Sequence, residues 1–189
     1  MTENLGQTEQ ALLLEIARES LNLSVQGEAL NAVQLESLPE NLRKDGASFV
    51  TLTKSGQLRG CIGALEAYQP LAQDVQEHAK AAALQDYRFP QVRPDELSQI
   101  AIEISVLTPK TPLQYATPED LPHLLRPGVD GVVLQDGFRK ATFLPQVWDQ
   151  LPQPEQFLAH LCQKMGASPE LWRRKLLTVF NYQVQEFHE

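Results

Sequence analysis

Apolar residues recur at helical spacing near the start of the chain. Leu12, Leu13, Ile16, Ala17 and Leu21 form one stripe, the signature of an amphipathic helix that packs on a core. The spacing predicts a helix from Thr8 to about Ser24, capped by Thr8. Leu35 to Gly46 is irregular, punctuated by Pro39 and Gly46. From Ser48 to Lys54 polarity alternates among β-branched and aromatic residues, and Leu58-Arg59-Gly60-Cys61-Ile62-Gly63 follows after the turn residues Ser55-Gly56-Gln57. This reads as a β-hairpin. Pro70 opens a second helix reaching about Gln85 through Leu71, Val75, Ala79, Ala82 and Ala83, and a loop with a short helical turn at Pro94–Leu97 follows.

Ile100, Ile102, Ile104 and Val106 alternate with Ala101, Glu103, Ser105 and Leu107, the clearest strand of the chain. A short helix is predicted from Thr117 through Leu125. A second hairpin pairs Val132–Leu134 with Arg139–Leu144, and Pro145–Trp148 ends it in a helical turn. Pro154–Lys164 is an amphipathic helix stopped by Gly166. Another short helix starts near Ser168, and Leu177 to Val184 is a final strand. Hairpins with inserted helices give an α+β class with a mainly antiparallel sheet.

The first hairpin suggests a register. Burying Val50, Leu52, Leu58 and Ile62 on one face requires a loop of odd length, Lys54-Ser55-Gly56 or Ser55-Gly56-Gln57. A tight Ser55-Gly56 loop sets Leu52 beside Arg59, a poorer pattern. In the favoured registers Arg59 and Cys61 share the other face with Phe49, Thr51 and Thr53. Gly60 and Gly63 leave room for another backbone or a ligand, or mark bulges.

Composition narrows the classes. The 189 residues carry a net charge of −8, with 42% hydrophobic and 21% charged residues. This is ordinary globular composition, and the acidic balance disfavours a general nucleic-acid or anionic-membrane binder. No apolar run approaches the roughly 20 residues that span a bilayer. The N-terminus lacks signal-peptide features, and two distant cysteines make no disulfide framework. A cytoplasmic protein with reduced thiols is expected.

Cys61 is the candidate nucleophile, with Arg59 on its face to favour the thiolate. The flanking backbone N–H groups would hold an anion or oxyanion. The alternative is a small core hydrophobe, since free cysteine is among the most buried residue types. No histidine neighbours Cys61 in sequence; folding would have to bring in His78. Arg59 and Arg88 suit a carboxylate or phosphate, or else pair structurally with Glu103 or Asp86. The expected ligand-binding set is Gly60, Gly63, Arg88, Glu103 and His78. Asp74 and His78, four apart, have the spacing of two metal ligands, but no further ligand is indicated. They read as a helix-surface pair, and no metal is expected. Cys162 reads as core, and Arg173-Arg174-Lys175 as a solvated basic face. No glycine-rich nucleotide loop is present, and no motif names a cofactor.

Leu58–Gly63 is identified as the hallmark of the AMMECR domain family, and further segments resemble that family in the same order. They are Asp86-Tyr87-Arg88-Phe89-Pro90, Glu103–Pro109, Gly131-Val132, Ala141–Trp148 and Phe157–Gly166. The resemblance covers roughly residues 8–187 as one domain. It implies an α+β fold of a larger and a smaller lobe, with the hexapeptide on a strand near the cleft between them. It also implies the context of the AmmeMemoRadiSam system, whose protein A is associated with Memo-like and radical-SAM companion proteins. Tyr87 departs from the family's usual proline, and Met165 from a small residue. The leading expectation is an enzyme, or enzyme-system component, acting on a small metabolite or modified nucleotide through a cleft containing Cys61. The alternatives are a binding module that docks a partner at Gly-Cys-Ile-Gly, and a hexapeptide that only solves a packing problem.

Overall fold

The computed structural model describes residues 4–189. In chain order the helices are α1 (Gln7–Val25), α2 (Glu40–Arg43), α3 (Leu71–Leu84), α4 (Leu121–Leu124), α5 (Pro154–Lys164) and α6 (Leu171–Arg174). The strands are β1 (Asp45–Lys54), β2 (Gln57–Gly63), β3 (Gln69–Pro70), β4 (Ile100–Leu107), β5 (Thr111–Pro112), β6 (Gly131–Asp136), β7 (Arg139–Phe143), β8 (Thr178–Tyr182) and β9 (Val184–His188). Chain contacts divide into two compact units. One holds residues up to Leu107 together with Gln185–Glu189, and the other Thr108–Val184.

In the first unit the sheet order is β2-β1-β4-β9, with β3 added on β1; the β1–β2, β1–β3 and β1–β4 pairings are antiparallel. Period-2 alternation divides β1 and β4 between two faces. Val50, Leu52, Ile102 and Ile104 are fully buried against Leu13, Ala17 and Leu21 of α1 and Ala72, Val75 and Ala79 of α3. The face turned away from these helices carries Phe49, Thr51 and Thr53 on β1, opposite Ser105, Glu103 and Ala101 on β4. Helix α1 begins one residue before Thr8. Gly6 is its N-cap, with the Gly6 N–H donating to the Glu9 carboxylate at 2.8 Å, so Thr8 does not serve as the cap.

The β1–β2 turn corrects the expected register. Ser55 and Gly56 both have positive φ, 53° and 75°, and Lys54 pairs directly with Gln57. This is a tight two-residue loop whose twist suits a hairpin. The clash expected of it, Leu52 beside Arg59, is removed by a bulge: Thr53 faces Leu58, Leu52 faces Gly60, and Arg59 is the extra residue. Leu58 is therefore 45% exposed instead of joining the core. Ile62, across from Val50, still packs against the core.

Helix α3 explains the glycine opposite Leu52. A Cβ at Gly60 would lie 2.1 Å from the Ala82 carbonyl oxygen, and one at Gly63 would lie 2.4 Å from both the Phe49 ring and the Ser48 carbonyl oxygen. Of the alternatives open for Gly60 and Gly63, close approach of another backbone is the one formed at Gly60, and neighbouring protein atoms, not open space for a ligand, lie where either residue would carry a Cβ.

The second unit has a sheet of order β5-β8-β6-β7. Its core joins Val132, Leu134 and Val179 to Leu121, Phe157, Leu158, Leu161 and Cys162. The Trp148 ring stacks on Phe157 at 3.7 Å, and its N–H donates to the Asp130 carbonyl at 2.7 Å. The predicted last strand divides at Gln183. β8 joins this sheet, and β9 joins that of the first unit.

Replacing Gly60 by Ala is expected to destabilise the protein by about 1–3 kcal/mol or more, because backbone cannot yield as a flexible side chain would. At Gly56 nothing crowds a Cβ; there Ala is expected to cost only about 1–2 kcal/mol for its left-handed φ. Urea denaturation of the two variants checks the order.

Candidate functional site

Strand β2 places Cys61 directly opposite Thr51, side by side on the face away from the helices. Cys61 is half-buried, and its Sγ accepts a hydrogen bond from Thr51 Oγ1 at 3.3 Å. Its peptide groups are held from the loop after α3. The Cys61 N–H donates to Asp86 Oδ2 at 2.9 Å, and Arg88 Nη2 donates to the Cys61 carbonyl at 3.2 Å. Arg88 also grips Asp86, from Nε to Oδ1 at 2.9 Å and from Nη2 to Oδ2 at 2.7 Å. An acid and a base two residues apart thus clamp one residue of an outer strand by both of its backbone groups.

The electrostatics follow from that geometry. The Arg88 guanidinium, helped by the N–H groups of Cys61 and Arg88, holds the Asp86 carboxyl well below the usual carboxylate range, although burial opposes this. Asp86 in turn raises Arg88, and negative charge on Cys61 acts in the same direction. Arg88 thus lies within electrostatic reach of Cys61. Tyr87, between the clamp residues, is 95% exposed.

Arg59, expected beside the thiol, is engaged elsewhere. From the bulge its Nε and Nη2 reach the two Glu96 oxygens at 3.2 and 3.0 Å, and its Nη1 donates to the Pro90 carbonyl at 2.8 Å. Lys54 Nζ and the Arg93 N–H also converge on Glu96, at 2.9 and 3.0 Å. Hydrogen bonds from Arg59 first, then Lys54 and the Arg93 N–H, lower the Glu96 carboxyl to about 2. A recess of about 320 Å³ beside this cluster is lined by Arg59, Phe89, Pro90, Gln91, Arg93 and Glu96. The alternative pairing of Arg59 with Glu103 is not formed, whereas that of Arg88 with Asp86 is.

Glu103 lies opposite Thr51 on the other side of β1, on the same face as Cys61. Burial raises its carboxyl, as does the charge of Glu186, and His188 partly offsets both. His78 does not reach this face. Its Nδ1 lies 3.1 Å from Asp74 Oδ2, which also accepts the Ser48 N–H and hydroxyl at 2.9 and 2.6 Å. Asp74 is fully buried and His78 is 7% exposed, so the expected helix-surface pair is an interior network joining α3 to β1. Cys162 is fully buried in the second unit, and burial pushes its thiol up. No group of three or more potential metal ligands occurs among the described residues. Among the described residues, no helix is long and apolar enough to cross a membrane.

Comparison with known proteins gives these residues a family. The AMMECR1 profile matches residues 14–187. The chain belongs to the AMMECR1 family. A family relative from Methanothermobacter thermautotrophicus is 40% identical over 98% of this chain and 96% of its own length. Another, from Thermofilum pendens, is 36% identical over 98% and 92%. The crystal structure of an uncharacterised protein of Pyrococcus horikoshii has the same fold, with a TM-score of 0.84 and 29% identity over 98% of this chain and 93% of that one. In this AMMECR1 chain the hallmark hexapeptide supplies three different things: a bulged arginine for Glu96, a glycine for α3, and a clamped cysteine.

Sequence reasoning missed two of the partners. Thr51 was legible as a neighbour of Cys61 once the register was right, but not as its hydrogen-bond donor. Glu96 sits in a short turn, and nothing in its local sequence marks it as the acceptor for three chain segments.

The Glu96 cluster makes acid stability testable. A carboxyl held below its unfolded value adds stability that is complete above about pH 4.5 and is lost as pH falls through about 2. The difference corresponds to on the order of 3 kcal/mol. Glu96→Gln is expected to lower stability at pH 7 and to flatten its decline between pH 5 and pH 2, read by urea denaturation at stepped pH. The slope that remains belongs to groups such as Asp86.

Proposed function

We propose that this AMMECR1-family protein is an enzyme, or a component of an enzyme system, that acts on a small metabolite or modified nucleotide at Cys61. Arg88, in place of Arg59, supplies the neighbouring positive charge. The observation that carries the reading is the hold on Cys61: both backbone groups are fixed by Asp86 and Arg88, and a hydroxyl donates to its sulfur. A cysteine that only fills space needs none of these contacts. The hydroxyl and the cation are what a nucleophile uses, because a fixed donor and a nearby positive charge stabilise negative charge on sulfur. Arg88 keeps 45% of its side chain exposed, enough to meet an anionic ligand.

Iodoacetamide labelling at pH 7, followed by peptide mass spectrometry, tests this. Cys61 is expected to react at least about tenfold faster than glutathione under the same conditions, and Arg88→Gln to slow it severalfold. A Cys61 rate no faster than glutathione, unchanged by Arg88→Gln, removes the proposal.

A second reading rests on Tyr87, whose 95% exposure is that of a contact residue with no internal partner to pack on. It makes the clamp loop a docking element for a Memo-like or radical-SAM companion, the partners that the family resemblance implies. Tyr87→Ser is then expected to weaken companion binding at least about tenfold by calorimetry, the effect of losing an aromatic anchor. Equal affinity of wild type and variant removes this reading.

A further inference from the structure

Cys61, Thr51 and Glu103 form a row across three adjacent strands, on the face turned away from α1 and α3. All three are only partly buried. Two interstrand spacings put the Cα atoms of Cys61 and Glu103 roughly 10 Å apart, a span that a small ligand bridges while touching both side chains. Every other acid of this region named above is committed: Asp86 to Arg88 and Cys61, Glu96 to Arg59, Lys54 and Arg93, Asp74 to Ser48 and His78, and Glu186 to Ser105. Glu103 carries no hydrogen bond or ion pair to another described residue. An uncommitted carboxyl in a half-buried strand position, where a threonine or serine would serve the sheet as well, is not explained by packing.

We infer that Glu103 is the general acid and base that partners Cys61 in transferring an acyl group from a small ester or thioester. The inference rests on the nucleophile reading of Cys61 and adds to it the proton donor and the substrate class. In the first step the Cys61 thiolate bonds to the acyl carbonyl carbon. The bond from that carbon to the leaving oxygen or sulfur breaks, and the leaving atom takes the electron pair and the Glu103 proton. In the second step water attacks the S-acyl carbon and gives one proton to the Glu103 carboxylate. The C–S bond then breaks, returning the thiolate and the protonated acid and releasing a carboxylic acid. Thr51 donates its hydroxyl hydrogen to the sulfur throughout.

The surroundings make Glu103 a weaker acid than a solvated carboxyl. Facing Glu103 are Thr51 from β1, with Cys61 of β2 beyond it, and Glu186 and His188 from β9; Ser105 flanks it on β4 and bonds Glu186 at 3.4 Å. Burial and the Glu186 charge both favour the neutral carboxyl, with His188 the opposing influence. A carboxyl raised in this way, on the same face as a thiol two strands away, is placed for proton donation.

The test compares two acetyl donors with different leaving groups in wild type and Glu103→Gln, reading acetylation of Cys61 by mass spectrometry. Phenolate leaves poorly without a proton, and p-nitrophenolate leaves unaided. Glu103→Gln is expected to slow acetylation by phenyl acetate at least about tenfold and acetylation by p-nitrophenyl acetate less than about twofold. In wild type the phenyl acetate rate divided by the p-nitrophenyl acetate rate, a ratio that cancels the thiolate fraction, is expected to fall as pH rises through the titration of Glu103. Equal effects on the two esters, or none, overturn the acid role. Iodoacetamide, whose leaving iodide needs no proton, separates the two ideas. A fast Cys61 with an unchanged ester ratio refutes only Glu103, whereas a Cys61 no faster than glutathione refutes the nucleophile beneath it. Circular dichroism and the melting temperature of Glu103→Gln establish that the variant is folded.

Discussion

The carbonyl oxygen of Ala82 lies where residue 60 would carry a side chain. This backbone contact between α3 and β2 constrains most of what surrounds the cysteine. It demands a glycine opposite Leu52, and with a two-residue turn fixed by Ser55 and Gly56 only a bulge can deliver one. The bulged residue is Arg59, which is thereby aimed at Glu96 instead of at the sulfur. The next residue, Cys61, returns to regular pairing opposite Thr51. One close approach thus separates the two side chains that the hexapeptide sets two positions apart.

Carboxylates organise the rest of the first unit. Asp86, Glu96 and Asp74 are each nearly inaccessible, and each gathers donors from more than one chain segment. An isolated buried carboxylate is costly, whereas one that accepts several hydrogen bonds fixes the parts it joins. Asp86 ties the loop after α3 to β2, Glu96 ties the turn before β4 to the hairpin, and Asp74 ties α3 to β1. An acidic chain places some of its charge in the interior as fastenings. Glu103 stands apart from this pattern, and that contrast directs attention to it.

Much of the architecture was legible from residues alone. Alternation from Ile100 to Leu107 and the stripe from Leu12 to Leu21 marked the elements that bury Ile102, Ile104, Leu13 and Leu21, because periodicity reports directly on which face meets the core. The prediction that Thr51 and Cys61 share a face agrees with the structure although the loop length assumed for it does not, since the bulge restores the parity that an odd loop would have given. Leu58 fails for the same reason: it precedes the bulge, where the parity is not restored.

The sequence by itself determined the α+β class, the family, the core stripes and the cysteine worth attention. Each is encoded in local spacing or in a contiguous motif. Tertiary structure alone decided that Arg59 pairs with Glu96 and Arg88 with Asp86, that His78 is interior, and that neighbouring protein atoms fill the space beside Gly60 and Gly63. Those outcomes depend on groups tens of residues away. Asp86 against Cys61, Glu96 against Arg59 and Ala82 against Gly60 meet only once the sheet and α3 have packed, and no short-range pattern records a contact between distant segments.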